Sequence, residues 1–314
     1  MRGFLAKYWF FVAIVLVVLL AYRFPVFGAK ITEWYLLKGS IFVAFLITGL
    51  TLESRKIVAE IRNLRGVSTA LVSCFILFPL VAVPLVRLFF ASRPDFVVGV
   101  TLMSIAPVTI ASGIILTHVA KGNVSLSLLI CVACNTLAIF VMPLGLEFLL
   151  TRNGTINLPA LQMIWSLVLL VLVPTLVGQV LRIGLKEKIV RFRGVFSMFS
   201  LLVVLLIIAN AVSSSAGKIT ELGLRITYIF LFMLLLHMFA LLMNFGLARA
   251  IRLDPASVSA FTIHVSQKTL TVTYVIWAEY FSAFTMAMIP SISYHLIQVI
   301  GDTFVAHRFR EAAD

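Results

Sequence analysis

Apolar runs of about twenty residues, parted by short polar interruptions, fill the chain from residue 8 to residue 306. A run of that length crosses a bilayer as a helix. The pattern predicts ten spans, over 8–27, 33–51, 66–90, 96–119, 123–150, 160–182, 195–215, 224–248, 256–280 and 283–306. No polar stretch between them is long enough to fold a soluble domain. The expected fold is an all-α polytopic membrane protein, one transporter domain over 1–314, with the lipid bilayer as its first partner.

Two spans break the pattern. In the ninth, TIHVSQKTLTV (262–272) sets Lys268 about 12 residues from either end of an apolar run. At 1.5 Å per residue that is roughly 18 Å from each interface, beyond the reach of a lysine stem. The ammonium therefore needs a partner, a water-filled cavity or deprotonation. The same span carries Ser257, Ser259, Thr262, Ser266, Gln267, Thr269, Thr271 and Thr273, too polar a set for a lipid-facing helix. The fourth span reads SIAPVTIASG (104–113), where Pro107 removes a backbone donor and Thr109, Ser112 and Gly113 follow. Interrupted helices survive at membrane depth only where protein or a wet cavity satisfies the freed peptide groups.

The interrupted spans are the fourth of the first five and the fourth of the second five. Five is odd, so the second set enters from the opposite face, and the halves (8–150 and 160–306) form an inverted repeat. Interrupted helices at matching places in two such halves point to a transporter's binding site. Pro143 and Pro174 read as ordinary kinks or helix-end features.

Composition changes the picture in one respect. The net charge of +13 suggests nucleic acid, but the basic residues punctuate apolar runs and form no patch, so nucleic-acid binding is excluded as the reading. With the N-terminus inside, sixteen of the 25 basic residues fall on the cytoplasmic side and eight outside, with Lys268 left over. That bias predicts a multi-pass protein of an inner or plasma membrane with both termini cytoplasmic. The N-terminal MRGFLAKYWFFVAIVLVVLLAYRFP is basic then apolar, like a signal peptide, but lacks a small-x-small cleavage site; it reads as an uncleaved first span. Asp302 reads as lying near the cytoplasmic interface. Basic loop 182–193 reads as a topology signal, and Asn153-Gly154-Thr155 as a sequon in an outside loop. Cys131 and Cys134 share a helix face and read as small packing residues rather than a metal or redox pair.

GLTLESRKI (49–57), VGVTLMSIAP…THVAKGNVSLSL (98–128), VSQKTLT (265–271) and SYHLIQVIGD (293–302) together resemble the bile acid:sodium symporter superfamily, the solute carrier 10 type. Within it the chain is most similar to the divergent branch of the seventh human member and its bacterial and fungal relatives. The resemblance implies a core of helices (66–150 and 224–306) moving against a panel (8–51 and 160–215), with broken helices four and nine crossing at the centre. It implies sodium-coupled uptake of a small organic anion, bile-acid-like or another carboxylate or sulfonate. No cofactor is implied beyond the coupling ion, sodium or a proton.

The chain departs from the family where sodium is held. Gly113 and Ile114 stand where a Ser-Asn pair is expected, with Thr109 and Ser112 as the nearest hydroxyls. Ser127 matches, while Cys131 replaces a threonine. Gln267 matches, Lys268 takes an Asn position, Ile263 replaces the Glu, and His264 lies one residue away. His295-Leu296 stands for His-Asn. The candidate substrate- and ion-binding set is Thr109, Ser112, Gly113, Ser127, Cys131, Asn135, Thr262, His264, Ser266, Gln267, Lys268, Thr269 and His295. A second cation beside a protonated Lys268 would cost about 4 kcal/mol at contact and an effective dielectric near 20, so any sodium site is altered. Lys268 either titrates in place of the ion or pairs with the substrate anion. The alternatives are a non-transporting regulator of calcium homeostasis with the same fold, and an intramembrane enzyme. The enzyme reading has only Ser266, His264, Lys268 and His295 to draw on, and residues two apart do not face each other on a helix.

Overall fold

The computed structural model describes residues 2–33, 35–53, 60, 63–151 and 158–313. Among these residues every regular element is helical. In chain order the helices are α1 (Arg2–Arg23), α2 (Val26–Glu33), α3 (Leu36–Thr51), α4 (Leu64–Phe90), α5 (Pro94–Ile105), α6 (Ala111–Val119), α7 (Val124–Leu150), α8 (Ala160–Leu167), α9 (Val173–Leu222), α10 (Ile226–Ala250), α11 (Pro255–Ser266), α12 (Leu270–Tyr280) and α13 (Met288–Ala313). Among the described residues, four stretches are long and apolar enough to cross a membrane: Leu64–Phe90, Val124–Leu150, Ala160–Leu185 and Gly194–Ala250. The 153–155 sequon and residues 54–57 of the 49–57 motif lie outside the described residues.

The chain divides into two compact units, Met1–Thr51 with Leu169–Ile226, and Leu52–Val168 with Thr227–Asp314. In the first, small residues let helices touch backbone to backbone. Gly49 and Gly178 face each other, and a Cβ on Gly49 would collide with the Thr175 carbonyl. Gln179 donates to the Gly49 carbonyl, and Arg182 to the Leu50 carbonyl at 2.7 Å. Asn210 donates to the Gly28 carbonyl at 3.1 Å, and Tyr22 bonds Thr220 at 2.9 Å.

Residues 183–194, read as a loop between spans six and seven, stay helical inside α9. The stretch has no proline, and Gly184 and Gly194 keep helical backbone. The helix ends at Gly223, whose φ of +52° with ψ of −132° is a backbone conformation that favours glycine. The first expected span likewise ends early, at Arg23, two residues before Pro25, and α2 follows as a separate short helix.

The second unit repeats one plan: a long helix, a broken helix, a long helix. In the first pass these are α4, then α5 and α6, then α7; in the second they are α10, then α11 and α12, then α13. Pro107 explains the first break, because a residue before proline is pushed out of helical backbone. Ala106 is extended accordingly, at φ −64° and ψ 149°. The second break, Gln267 to Thr269, holds neither proline nor glycine. Wide five-residue turns at Ser73–Leu77 and Val168–Leu172 stand just before Pro79 and Pro174, where each proline ring crowds the preceding turn.

The two passes meet at both ends of this unit. At one end Met286 N–H donates to Asp95 at 2.9 Å, and Gly99 packs on the Ala287 carbonyl. At the other, Lys121 turns the chain with φ +55°, Gly122 lies against Ser259, and Asn123 caps α7 while bonding Glu60 at 2.8 Å and Ser257 at 3.1 Å. The AKGN segment is thus a docking turn. Beside it Asp254 caps α11 through Ser257 N–H at 3.0 Å. Partial burial opposes ionisation of Asp254, but hydrogen bonds from the Ser257 side chain and nearby backbone outweigh it and hold the carboxyl below its ordinary value.

Two predictions follow from these contacts. Gly49→Ala destabilises the chain by about 1–3 kcal/mol through overpacking, whereas Gly184→Ala, with open space around it, is neutral or stabilising by up to about 1 kcal/mol; thermal unfolding in detergent reads both. Asp254→Ala costs about 1 kcal/mol. Because the folded carboxyl titrates below the unfolded one, that difference is full above the ordinary carboxylate value. It fades as pH falls through the lowered folded value, as melting temperatures taken across acidic pH will report.

Candidate functional site

Both helix breaks come together inside the second unit. Thr269 N–H donates to the Pro107 carbonyl at 2.9 Å, so the crossing strands share a backbone hydrogen bond. Four helix ends meet here: the carbonyl ends of α5 and α11 and the amide ends of α6 and α12.

Lys268 is 3% exposed. Its ammonium donates to the Ala106 carbonyl at 3.0 Å, the Cys74 carbonyl at 2.9 Å and Cys74 Sγ at 3.1 Å, and lies 5.1 Å from the centre of the Phe78 ring. It therefore caps the carbonyl end of α5, where the helix dipole favours a cation, and ties α4 to both breaks. The Lys268 peptide is clamped by Gln298, which accepts from Lys268 N–H at 2.8 Å and donates to its carbonyl at 3.0 Å. That clamp holds a break with no breaker residue in it.

His264 fills a gap left by glycine. Its ring lies over Gly113, where any Cβ would meet the ring atoms inside van der Waals distance. Nε2 donates to the Thr109 carbonyl at 2.8 Å. In the neutral ring Nδ1 must then accept, and Ser127 is its donor. Thr117 bonds Ser127 at 3.2 Å. The missing side chain at 113 and the histidine at 264 are two halves of one packing solution.

Gln267 joins the breaks a third time. Its Oε1 accepts from Thr109 Oγ1 and from Ser112 Oγ at 2.8 Å, and its Nε2 donates to Asp302 at 2.7 Å. Cys131 Sγ points to the Thr109 carbonyl at 3.8 Å, and Asn135 donates to the Val108 carbonyl at 3.2 Å. Ser266 turns away from Lys268, donating to the Thr262 carbonyl at 2.7 Å and accepting from Asn244 at 2.9 Å. His295 accepts from Gln298 at 3.1 Å. The Asn135 Oδ1 and Thr262 Oγ1 atoms have no hydrogen-bond partner among the described residues. Every sequence-predicted position thus belongs to one connected cluster. The Ser266 and Lys268 pair of the enzyme reading does not form, because each side chain has its own partner.

The chain matches the SBF-like CPA transporter family over residues 8–311. It belongs to that family. Relatives include a probable chloroplastic sodium/metabolite cotransporter, BASS4, of Oryza sativa subsp. indica, 27% identical over 95% of this chain and 74% of its own length. Others are the sodium/bile acid cotransporter 7 of Xenopus tropicalis, 23% identical over 94% and 90%, and the uncharacterized protein PA2026 of Pseudomonas aeruginosa, 26% identical over 97% and 93%. As in other members of this transporter family, the chain is an integral multi-pass membrane protein.

Five cluster members escaped the sequence reading. Asp302, expected near the cytoplasmic interface, is fully buried beside the break, bonded to Gln267 and, at 2.7 Å, to His237. The reason is that α13 runs past the crossing before reaching its end at Ala313. His237 and Asn244 sit seven residues apart on α10, one face of an otherwise apolar helix, and that spacing was the available signal. Gln298 and the Cys74 carbonyl left no sequence trace of their roles.

Gly113→Ala should cost about 1–3 kcal/mol in the native chain, against the usual gain for glycine to alanine in a helix. In a His264→Ala background the same change should cost close to nothing. The double-mutant cycle by thermal unfolding measures that coupling.

Proposed function

We propose that the chain is a secondary active transporter of a small organic anion working by alternating access, with ten transmembrane helices in two inverted repeats. The second unit is its core and the first its panel, and the twice-repeated plan of long, broken and long helices supports the repeat. The crossing of the two breaks, pinned by the Lys268 ammonium on the Ala106 and Cys74 carbonyls, carries the reading. An ammonium bonded to backbone carbonyls does what a bound metal cation does: it neutralises the carbonyl ends of broken helices. Lys268 therefore acts as a tethered cation, in the position where the family resemblance places an Asn beside sodium. The relatives named as sodium/metabolite and sodium/bile acid cotransporters support an organic anion as cargo. The amide ends of α6 and α12 face the crossing and favour negative charge.

Reconstituted in vesicles, the full chain should take up labelled taurocholate or a smaller carboxylate when an inward proton gradient is imposed. Replacing sodium by choline should leave the rate unchanged, and Lys268→Ala should lower it by about tenfold or more, equivalent to at least about 1.4 kcal/mol. Strict sodium dependence that survives Lys268→Ala would overturn this account of the lysine.

A second reading has one observation in its favour. Every Lys268 donor is directed to protein atoms in a buried setting, as suits a non-transporting regulator that keeps the fold. A folded protein that exchanges no tested anion under any ion gradient would decide for it.

A further inference from the structure

We propose that His237 and Asp302 form the proton-binding site of this protein, with the proton taken at Nδ1 of His237. The inference rests on the transporter reading for what the proton drives, while the site itself stands on its own geometry. His237 is the twelfth of the 25 residues of α10 and is 1% exposed; Asp302 is 0% exposed. Acid and imidazole at that depth are costly and mark ion pathways in membrane proteins.

The hydrogen-bond roles follow from the neighbours. Thr109 and Ser112 donate to Gln267 Oε1, which fixes Gln267 Nε2 as the donor to Asp302. One Asp302 oxygen accepts from Gln267 and the other meets His237 Nε2 at 2.7 Å. With a carboxylate accepting on both oxygens, His237 carries its proton on Nε2. Its Nδ1 is then a bare acceptor, and that atom is buried without a partner among the described residues. An open lone pair on an imidazole held by a carboxylate is a place for one proton. Filling it turns the pair from carboxylate with neutral ring into carboxylate with imidazolium.

The surroundings set the electrical consequence. Tyr294 lies edge-on to His237 at 5.1 Å, donates its hydroxyl to the Ser266 carbonyl, and stands within electrostatic reach of Asp302 and Cys74. From the break comes Lys268, above Phe78, which itself stacks on Tyr294 at 6.0 Å. His264 and His295 are engaged elsewhere, on Thr109 with Ser127 and on Gln298. Lys268, Asp302 and neutral His237 sum to zero charge; the added proton makes the cluster +1. That favours a monoanion, so loading the proton and loading the cargo reinforce each other. Gln267 is the mechanical link, because a carboxylate shared with an imidazolium pulls less on the amide that binds Thr109 and Ser112 across the breaks.

The test is a ring-nitrogen NMR titration of the full chain in lipid nanodiscs, with labelled histidine, from about pH 5 to about pH 9, the window where histidines titrate. The chain has five histidines. The His237 signal is assigned by its loss in His237→Gln and, independently, by elimination with His118→Gln, His264→Gln, His295→Gln and His307→Gln. His237 should pass in one step from a single neutral tautomer, protonated at Nε2, to the doubly protonated ring. Asp302→Asn, which keeps a hydrogen-bond partner, should weaken proton binding about tenfold or more, moving the midpoint down by at least about one pH unit. A His237 ring that stays neutral throughout, or a midpoint indifferent to Asp302→Asn, would overturn the proposal. Failure of anion uptake would sink the transporter reading and leave this titration readable; a silent His237 would sink the proton site and leave uptake standing.

Discussion

A lysine ammonium held by peptide carbonyls at the centre of a membrane domain is the constraint around which the second unit is built. Moving an ammonium out of water costs several kcal/mol even after relaxation. Two broken helices carry a matching cost in stranded backbone groups. Each cost is reduced by the other: the Ala106 carbonyl at the end of α5 and the Cys74 carbonyl at the wide turn of α4 accept the Lys268 protons. Neither the charge nor the breaks would be tolerable alone at that depth.

The remaining peptide groups of the crossing are satisfied by the same economy of means. The Pro107 carbonyl takes Thr269 N–H, the Thr109 carbonyl takes His264, and both polar atoms of the Lys268 backbone take Gln298. Side chains of α13 and α11 thus do what neighbouring turns do in an unbroken helix. The Gly113 and His264 pair adds shape to this chemistry, since an imidazole reaches the Thr109 carbonyl only because residue 113 has no side chain.

What could be read from the chain divides along physical lines. The first break was legible because proline acts locally, through its ring and missing donor. The second was legible only through its cost: Lys268 in an apolar run demanded an explanation, although nothing in Gln267–Thr269 itself breaks a helix. Its actual cause, Gln298, lies thirty residues away. Asp302 was misplaced because a carboxylate near the end of an apolar run looks interfacial until its partners His237 and Gln267 are known. The helical path of 183–194 was missed for the opposite reason: basic charge marks a membrane face but does not itself end a helix.

The closed network also bears on motion. Lys268, Gln267 and His264 each bond across the two breaks, to Ala106, to Thr109 with Ser112, and to Thr109 again. Separating the breaks would expose several buried polar groups at once, each costing about 1–3 kcal/mol if left unpaired. The crossing is therefore costly to open. The groups with hydrogen-bonding capacity to spare lie at the margin of the network. The bare Nδ1 of His237, the Asn135 Oδ1 atom and the Thr262 Oγ1 atom are of that kind. Each belongs to a residue whose other polar atom already serves the network: His237 on Asp302, Asn135 on the Val108 carbonyl, and Thr262 through its carbonyl to Ser266.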